Sequence, residues 1–375
     1  MSKKKILFLS SWYPVPNNPT HGIFVKRHAV AVSMLNEVYA LYVYGSESLD
    51  EEVITHVSEN FTEHLIQYKK NYTTSIGKYH QIKNIYEKSF KAVMEKHGRP
   101  DIIHLNVIFP AGIFALHLSN KYNIPLVITE HWTGYLPEDG SYQGIIKKYF
   151  TKKVVQKAKI ICPVTMHLED NMRRHGLTGN YKTIPNVVDT EFFNANTISN
   201  EGLITFFHLS SLDERQKNPV SIIDSFLNIH KKHSNARLIL AGDGENLKKL
   251  QKKYSHPSIE YYFRPLGEKL LKLYQRCDVF VLNSRYENLP VVLLEAMSCG
   301  KPVISSNVGG ISEYINESNG ILFSTSDVAN LSAAMEKYIQ IKYTFDAKTI
   351  RSLAIKSFSK KSIAACFDKI YNELI

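Results

Sequence analysis

Asn283-Ser284-Arg285-Tyr286-Glu287-Asn288-Leu289-Pro290-Val291-Val292-Leu293-Leu294-Glu295-Ala296-Met297 is the stretch on which the reading of this chain turns. The short apolar run Val279–Leu282 before it reads as a buried strand, and Pro290 suits the first turn of a helix spanning Pro290–Met297. A further strand, Pro302–Ser305, follows, so the segment is a strand, loop, helix and strand, the unit of a parallel sheet. Glu287 falls in the loop and Glu295 about two turns into the helix. A cap for Glu287 and a solvated or ion-paired face for Glu295 is the plain reading. Glu295, however, stands between Leu294 and Ala296 in a nearly apolar helix, where an unpaired carboxylate is costly. With the helix starting near a ligand cleft, both carboxylates can serve one extended ligand, accepting from ribose and from sugar hydroxyls.

The same rhythm extends in both directions. Upstream lie strands Ile204–Leu209, Arg237–Ala241 and Ile259–Phe263, with helices at Val220–Lys231, after Gly242-Asp243-Gly244 and around Leu270–Arg276. Downstream, Gly309-Gly310 opens a helix, and helical segments run from Val328 to the end, the last at Ser362–Leu374. The first half alternates alike: strands Ile6–Leu9, Val38–Val43, Ile102–Leu105, Leu126–Thr129 and Ile160–Pro163, with a helix from about Phe24. The polar stretch Asn194–Gly202 carries no periodicity and marks a domain boundary. The expected organisation is α/β, two Rossmann-like domains with parallel sheets facing an interdomain cleft. The first domain takes residues 1–194, the second 195–358, and a helix at 359–375 packs back toward the first. Ligands of open parallel sheets bind at the carboxyl ends of the strands, which makes the cleft the expected site.

Composition limits the function classes. The 375 residues are 44% apolar and 22% charged, an ordinary globular balance that excludes disordered, collagenous and coiled-coil chains. Cys162, Cys277, Cys299 and Cys366 are widely spaced without CxxC, so neither a zinc site nor a disulfide framework is indicated, and a reducing cytoplasmic compartment fits. Met1–Lys5 followed by Ile6–Leu9 imitates the front of a signal peptide, but the apolar run is too short and Ser10-Ser11 interrupt it. A soluble or peripheral protein is expected. The net charge of +11, from 46 Lys and Arg against 35 Asp and Glu, favours anionic partners. Lys147 to Lys159 holds six lysines and no acid among Ile145, Ile146, Tyr149, Phe150, Val154 and Val155, a basic amphipathic helix. It is either a solvated face or a contact for the inner, anionic face of a membrane. Lys69 to Arg99 is also basic and carries scattered tyrosines, but no nucleic-acid motif accompanies them.

No GxGxxG follows the first strand and no GxxxxGK[ST] occurs, which removes most support for a dinucleotide dehydrogenase or P-loop ATPase. Gly22, alone in the first strand–helix connection, is either a turn residue or a place for a phosphate to approach the following helix.

Together these pieces resemble the retaining glycosyltransferases of family 4, of GT-B architecture. The resemblance covers nearly the whole chain. Its most specific part is Glu287-x7-Glu295, continuing through Ser298-Cys299-Gly300-Lys301-Pro302-Val303-Ile304. Thr129-Glu130-His131, Ile184-Pro185-Asn186-Val187-Val188-Asp189, Gly242-Asp243-Gly244, Val308-Gly309-Gly310 and Glu313 also match, in order. The resemblance implies that Glu295 grips the donor ribose, that Glu287 sits near the transferred sugar and that the backbone at Asn288 and Leu289 lines the sugar and diphosphate pocket. It implies that Lys217 binds the diphosphate and that His131 faces the donor sugar, which makes His131, Glu287 and Lys217 the catalytic candidates. The family's arginine six residues before that lysine is replaced here by Ser211, leaving Arg215, Arg264 or a helix end to supply the missing charge. Gly22 and Gly242 complete the donor candidates, and His104, Asn106 and Glu130 are acceptor-side candidates. Asp-x-Asp is absent, and transfer without a metal or other cofactor is expected.

The implied activity moves a sugar from a nucleotide-sugar, UDP preferred, to a glycan or lipid-linked acceptor in surface polysaccharide synthesis. Ser10-Ser11-Trp12-Tyr13-Pro14 with Gly22-Ile23-Phe24-Val25 points toward that bacterial group. Two other readings remain at this point: an epimerase or other phosphosugar enzyme on the same scaffold, and a nucleic-acid or membrane-binding module.

Overall fold

A computed structural model describes residues 3–46, 52–196, 202–324 and 327–375. The chain forms two compact units, residues 1–187 with 360–375, and residues 188–359.

The first unit contains β1 (Lys5–Ser10), α1 (Ile23–Val32), β2 (Glu37–Ser46), β3 (Glu52–Ser58), β4 (Phe61–Lys69), α2 (Ser75–His97), β5 (Ile102–Asn106), α3 (Gly112–Tyr122), β6 (Leu126–Glu130), α4 (Ile145–Lys157), β7 (Ile160–Pro163) and α5 (Met166–Arg174). Its sheet runs β3-β4-β2-β1-β5-β6-β7, parallel except for β3, which pairs antiparallel with β4 at the edge. Strand interiors are apolar because helices cover both faces, as parallel sheets require. The β3–β4 hairpin is an element beyond the sequence reading. The basic tyrosine-bearing stretch after it runs into α2, in which Tyr86 is buried and Tyr79 exposed, while Tyr68 is buried in β4.

The second unit contains β8 (Ile204–Leu209), a helical turn α6 (Glu214–Lys217), α7 (Pro219–Lys232), β9 (Ala236–Gly242), α8 (Gly244–Lys253), β10 (Ile259–Phe263), α9 (Glu268–Arg276), β11 (Val279–Leu282), α10 (Val291–Ser298), β12 (Val303–Ser306), β13 (Gly320–Phe323), α11 (Val328–Ile341) and α12 (Ala347–Phe358). Its all-parallel sheet has the order β10-β9-β8-β11-β12-β13. Chain order reverses between β8 and β11, the switch point at which open α/β sheets bind ligands. Gly309-Gly310 opens only a 3-10 turn, Ile311–Glu313, and β13 follows where the sequence reading has a helix.

The division falls at Val187/Val188, ahead of the expected 194/195, and residues 197–201 of the expected linker lie outside the described residues. Side chains of the second unit hold the intervening segment. Arg351 donates to the Thr190 and Phe193 carbonyls at 2.8 Å each, and Ser298 Oγ donates to Phe193 O at 2.8 Å. The closing helix, α13 (Lys360–Asn372), belongs to the first unit, where Ile363, Phe367, Ile370 and Tyr371 join the buried cluster with Phe8, Val25 and Ala29. No helix among the described residues is long and apolar enough to cross a membrane.

Candidate active site

Three loops at the carboxyl ends of β8, β11 and β12 join at the switch point of the second unit. The first is shaped by His208. Its Nδ1 lies 2.8 Å from Val281 O and Nε2 2.7 Å from Ser210 Oγ, so the ring donates to the carbonyl and accepts from the hydroxyl. Burial lowers the His208 pKa to about 4, keeping the ring neutral. Ser210 Oγ then accepts the Leu212 N–H at 3.0 Å, supporting Leu212 at φ 56°. Asp213 caps the turn by accepting Arg215 N–H at 3.1 Å, and α6 delivers Lys217.

Lys217 Nζ forms an ion pair with Glu287 Oε1, which also accepts Ser284 Oγ–H at 2.7 Å. Their side chains are 15% and 7% exposed, so the pair is shielded enough for its geometry to matter. Arg285 fastens the β11 loop to the β8 loop: its N–H donates to Gln216 O at 2.8 Å, and its guanidinium donates to Asn218 Oδ1 at 3.1 Å and to the Glu214 carbonyl. From the other side, Gly309 (φ 58°) lies flat on Glu287, where a Cβ would stand 1.7 Å from the Glu287 carbonyl oxygen. Gly310 N–H donates to Asn288 O at 3.2 Å, and Ser306 Oγ to Ser284 O at 2.6 Å. Asn288 and Leu289 are thereby buried at the start of α10. Pro290 is the N-cap of that helix and not its first residue. Glu295, in the second turn, is buried, and its Oε2 accepts Tyr274 O–H at 2.9 Å. Burial, with Glu295 beside it, pushes the Tyr274 pKa well up, so the phenol remains a donor.

The remaining donor candidates are placed differently. Ser211 and Arg215 are exposed on the β8 loop. The Arg264 guanidinium donates to Asp243 Oδ2 at 2.9 and 3.1 Å, in an ion pair exposed at the surface. Gly242 serves chain packing: a Cβ there would meet Leu212 Cδ1 at 2.5 Å and Ser210 O at 2.7 Å. Gly22 lies in the first unit. The Trp12–Tyr13 backbone packs 2.6–2.7 Å from its Cβ position, so the close approach that requires a glycine here is one between two parts of the chain.

In the first unit, His131 follows β6. Its Nδ1 lies 3.1 Å from Asn186 Oδ1, and its ring is 4.4 Å from that of Phe24 and 5.3 Å from that of His28. Burial, then the neighbouring His28, hold its pKa well below the usual histidine value, so the imidazole is neutral near pH 7. The three acceptor-side candidates, Glu130, His104 and Asn106, are all buried within the first unit. Glu130 is fully enclosed and accepts the N–H groups of Ile108, His131 and Trp132 at 2.8–3.0 Å and Tyr135 O–H at 3.3 Å. Its carboxylate shapes the loop carrying His131. Both ring nitrogens of buried His104 are engaged, by Tyr371 OH at 2.6 Å and Thr129 Oγ1 at 2.7 Å, tying α13 to the sheet. Asn106 is fully buried beside them.

Residues 41–192 match the Glycosyltransferase Family 4 profile, and residues 189–352 match Glycosyl transferases group 1. The chain is a glycosyltransferase of the GT-B fold. An uncharacterised glycosyltransferase of Methanocaldococcus jannaschii is 29% identical over 296 residues, 76% of this chain and 78% of its own length. A putative teichuronic acid biosynthesis glycosyltransferase of Bacillus subtilis, TuaC, is 24% identical, covering 66% of this chain and 64% of its own. Among solved structures, Anabaena HepE in complex with UDP-glucose superposes with a TM-score of 0.72 at 18% identity, covering 98% and 99% of the two chains.

Several supports of this glycosyltransferase's loops lie outside the sequence reading. Arg285, Ser284 and Ser306 staple the loops, and Tyr274, from α9, meets Glu295 only in three dimensions. Arg285 had one available signal, a cation inside the Glu287 loop; Tyr274, 21 residues before Glu295, had none.

Proposed function

We propose that the second unit binds a UDP-sugar and that the enzyme transfers the sugar, with retention of anomeric configuration, to a glycan or lipid-linked acceptor in surface polysaccharide synthesis. The observation that carries this reading is the convergence of Lys217 and Glu287 on the switch point, braced by Arg285 and Gly309, with Glu295 buried in the adjoining helix. UDP is favoured because HepE is described in complex with UDP-glucose, and surface polysaccharide because TuaC is assigned to teichuronic acid synthesis.

In this reading Glu295 accepts from the ribose hydroxyls, and the first amides of α10 and Lys217 receive the diphosphate. As the anomeric carbon–oxygen bond breaks, its electron pair passes to the β-phosphate, and Lys217 stabilises the growing charge more in the transition state than before it. The acceptor oxygen bonds to the anomeric carbon from the same face and passes its proton to the departing phosphate oxygen. In this reading neutral His131 gives its Nδ1–H to Asn186 Oδ1 and accepts from a hydroxyl of the transferred sugar at Nε2, while Glu287 orients that sugar. Lys217 supplies the countercharge, so no metal or other cofactor enters the scheme. The proposed setting is the cytoplasm, at the inner face of the membrane.

The test is thermal stabilisation by UDP-, GDP-, ADP- and dTDP-sugars with a chelator present, followed by acceptor screening with the donor that binds. A shift with UDP-sugars supports the reading. A shift confined to another nucleotide changes the donor, and strict metal dependence of transfer overturns the metal-free scheme. Sugar isomerisation without any acceptor points instead to an epimerase.

A further inference from the structure

The amphipathic pattern of α4 divides unexpectedly in three dimensions. Thr151, Val154 and Val155 face the protein, whereas Ile145, Ile146 and Tyr149 are 88%, 70% and 57% exposed. Three large apolar side chains thus stand in solvent on the first two turns, and they share the outward face with Lys148, Lys152 and Lys153, all exposed. Scattered exposed apolar groups are ordinary, but a consecutive apolar tip flanked by lysines, in a segment with no acid from Lys147 to Lys159, is a specific arrangement. Tyr149 adds an amphipathic ring of the kind that settles at headgroup depth, with Lys153 Nζ 5.8 Å from its centroid.

The position of this tip gives it meaning. Lys147 Nζ lies 4.8 Å from the centroid of the Trp132 ring and 5.9 Å from that of Phe109. Phe109 follows β5, and Trp132 follows His131 after β6, so α4 begins on the carboxyl-end rim of the sheet, beside the loop that carries His131. We propose that the first turns of α4 dock this unit on an anionic lipid bilayer, with Ile145, Ile146 and Tyr149 entering the interface and Lys148, Lys152 and Lys153 on the headgroups. This rests on the transferase reading and deepens it: the acceptor is presented at the bilayer surface, hence lipid-linked. A polyanion such as RNA would be drawn to the lysines but has no use for the isoleucines.

The experiment is co-sedimentation of the full chain with vesicles of phosphatidylcholine alone and of an equal mixture with phosphatidylglycerol, at low and high salt. Binding to the mixed vesicles, weakened by salt and absent with phosphatidylcholine alone, is expected. The K148Q/K152Q/K153Q variant loses about fivefold per lysine, on the order of 100-fold together. The I145S/I146S variant loses about tenfold per isoleucine. Both substitute exposed residues, and their melting temperatures should match the wild type. Unchanged vesicle binding in either variant, equal binding to both vesicle types, or RNA binding that displaces the vesicles while I145S/I146S binds like wild type, overturns the proposal. Stabilisation by UDP is measured on the same preparations: its absence with vesicle binding intact counts against the donor reading alone, and its presence without vesicle binding counts against docking alone.

Discussion

Replacing Gly309 by alanine tests whether the Glu287 loop is held from behind, as its packing requires. The new methyl would lie 1.7 Å from the Glu287 carbonyl oxygen, against an ordinary contact beginning at 3.4 Å, and the φ of 58° disfavours any side chain. Left-handed backbone alone costs about 1–2 kcal/mol, so a loss of roughly 3–8 °C in the melting temperature of a unit this size is expected. The overlap falls on backbone, which cannot swing aside as a flexible side chain would, so Glu287 and Asn288 must shift by about 1.7 Å. A displacement on the order of 1 Å is worth about 100-fold in turnover when it misplaces reacting groups. The assay is kcat/KM for sugar transfer alongside the melting temperature. Gly300→Ala is the control: it has φ 71° and a Cβ position 2.9 Å from Ala347 O, but it lies behind α10 and away from the loop. Both variants should lose stability, Gly309→Ala the more because its overlap is deeper, and only Gly309→Ala should lose about 100-fold in kcat/KM. Equal retention of kcat/KM in both would refute the idea that this turn positions Glu287.

Lys217→Ala and Glu287→Gln, singly and together, should show a coupling of about 1–3 kcal/mol in unfolding free energy, since each single change strands a shielded charge or its partner; additive losses would mean the ion pair is energetically idle. Tyr274→Phe should cost about 1–3 kcal/mol by removing a buried donor to Glu295 and should raise the donor KM with kcat little changed; a wild-type KM would separate Glu295 from donor binding. Glu295→Ala should chiefly raise the donor KM and His131→Ala chiefly lower kcat, and wild-type rates in both would overturn their assignment. For His208, the folded-state pKa near 4 lies below the ordinary 6.5, so the unfolded chain takes up the proton first. Its contribution is complete above pH 6.5 and falls as pH drops toward 4, by about 3 kcal/mol over the full span. Denaturant titrations at stepwise pH check this; His208→Gln should flatten the profile relative to wild type, and a parallel profile would refute it.

The local signals for the fold were strong where strands are buried on both faces. Val279–Leu282 is a continuous apolar run, and Ile102–Leu105 is broken only by buried His104, because helices cover the parallel sheet on either side. The β3–β4 hairpin escaped because an edge strand needs no such run: in β3 most residues are exposed. Lys217 and Glu287 were legible as separate motif positions, but the ion pair between residues 70 apart arises only when β8 and β11 become neighbours at the switch point.

Residue type and spacing by themselves determined the tandem α/β rhythm and the Glu287–Glu295 spacing, because these depend on local periodicity and short-range backbone preference. Burial was decided only by tertiary structure. Polar residues at strand ends look alike in sequence, yet Glu130 and His104 turn inward to meet buried donors and acceptors while α4 presents Ile145 and Ile146 to solvent. Which polar group meets a ligand and which one holds the loop in place depends on what packs behind it, and those neighbours come from distant parts of the chain.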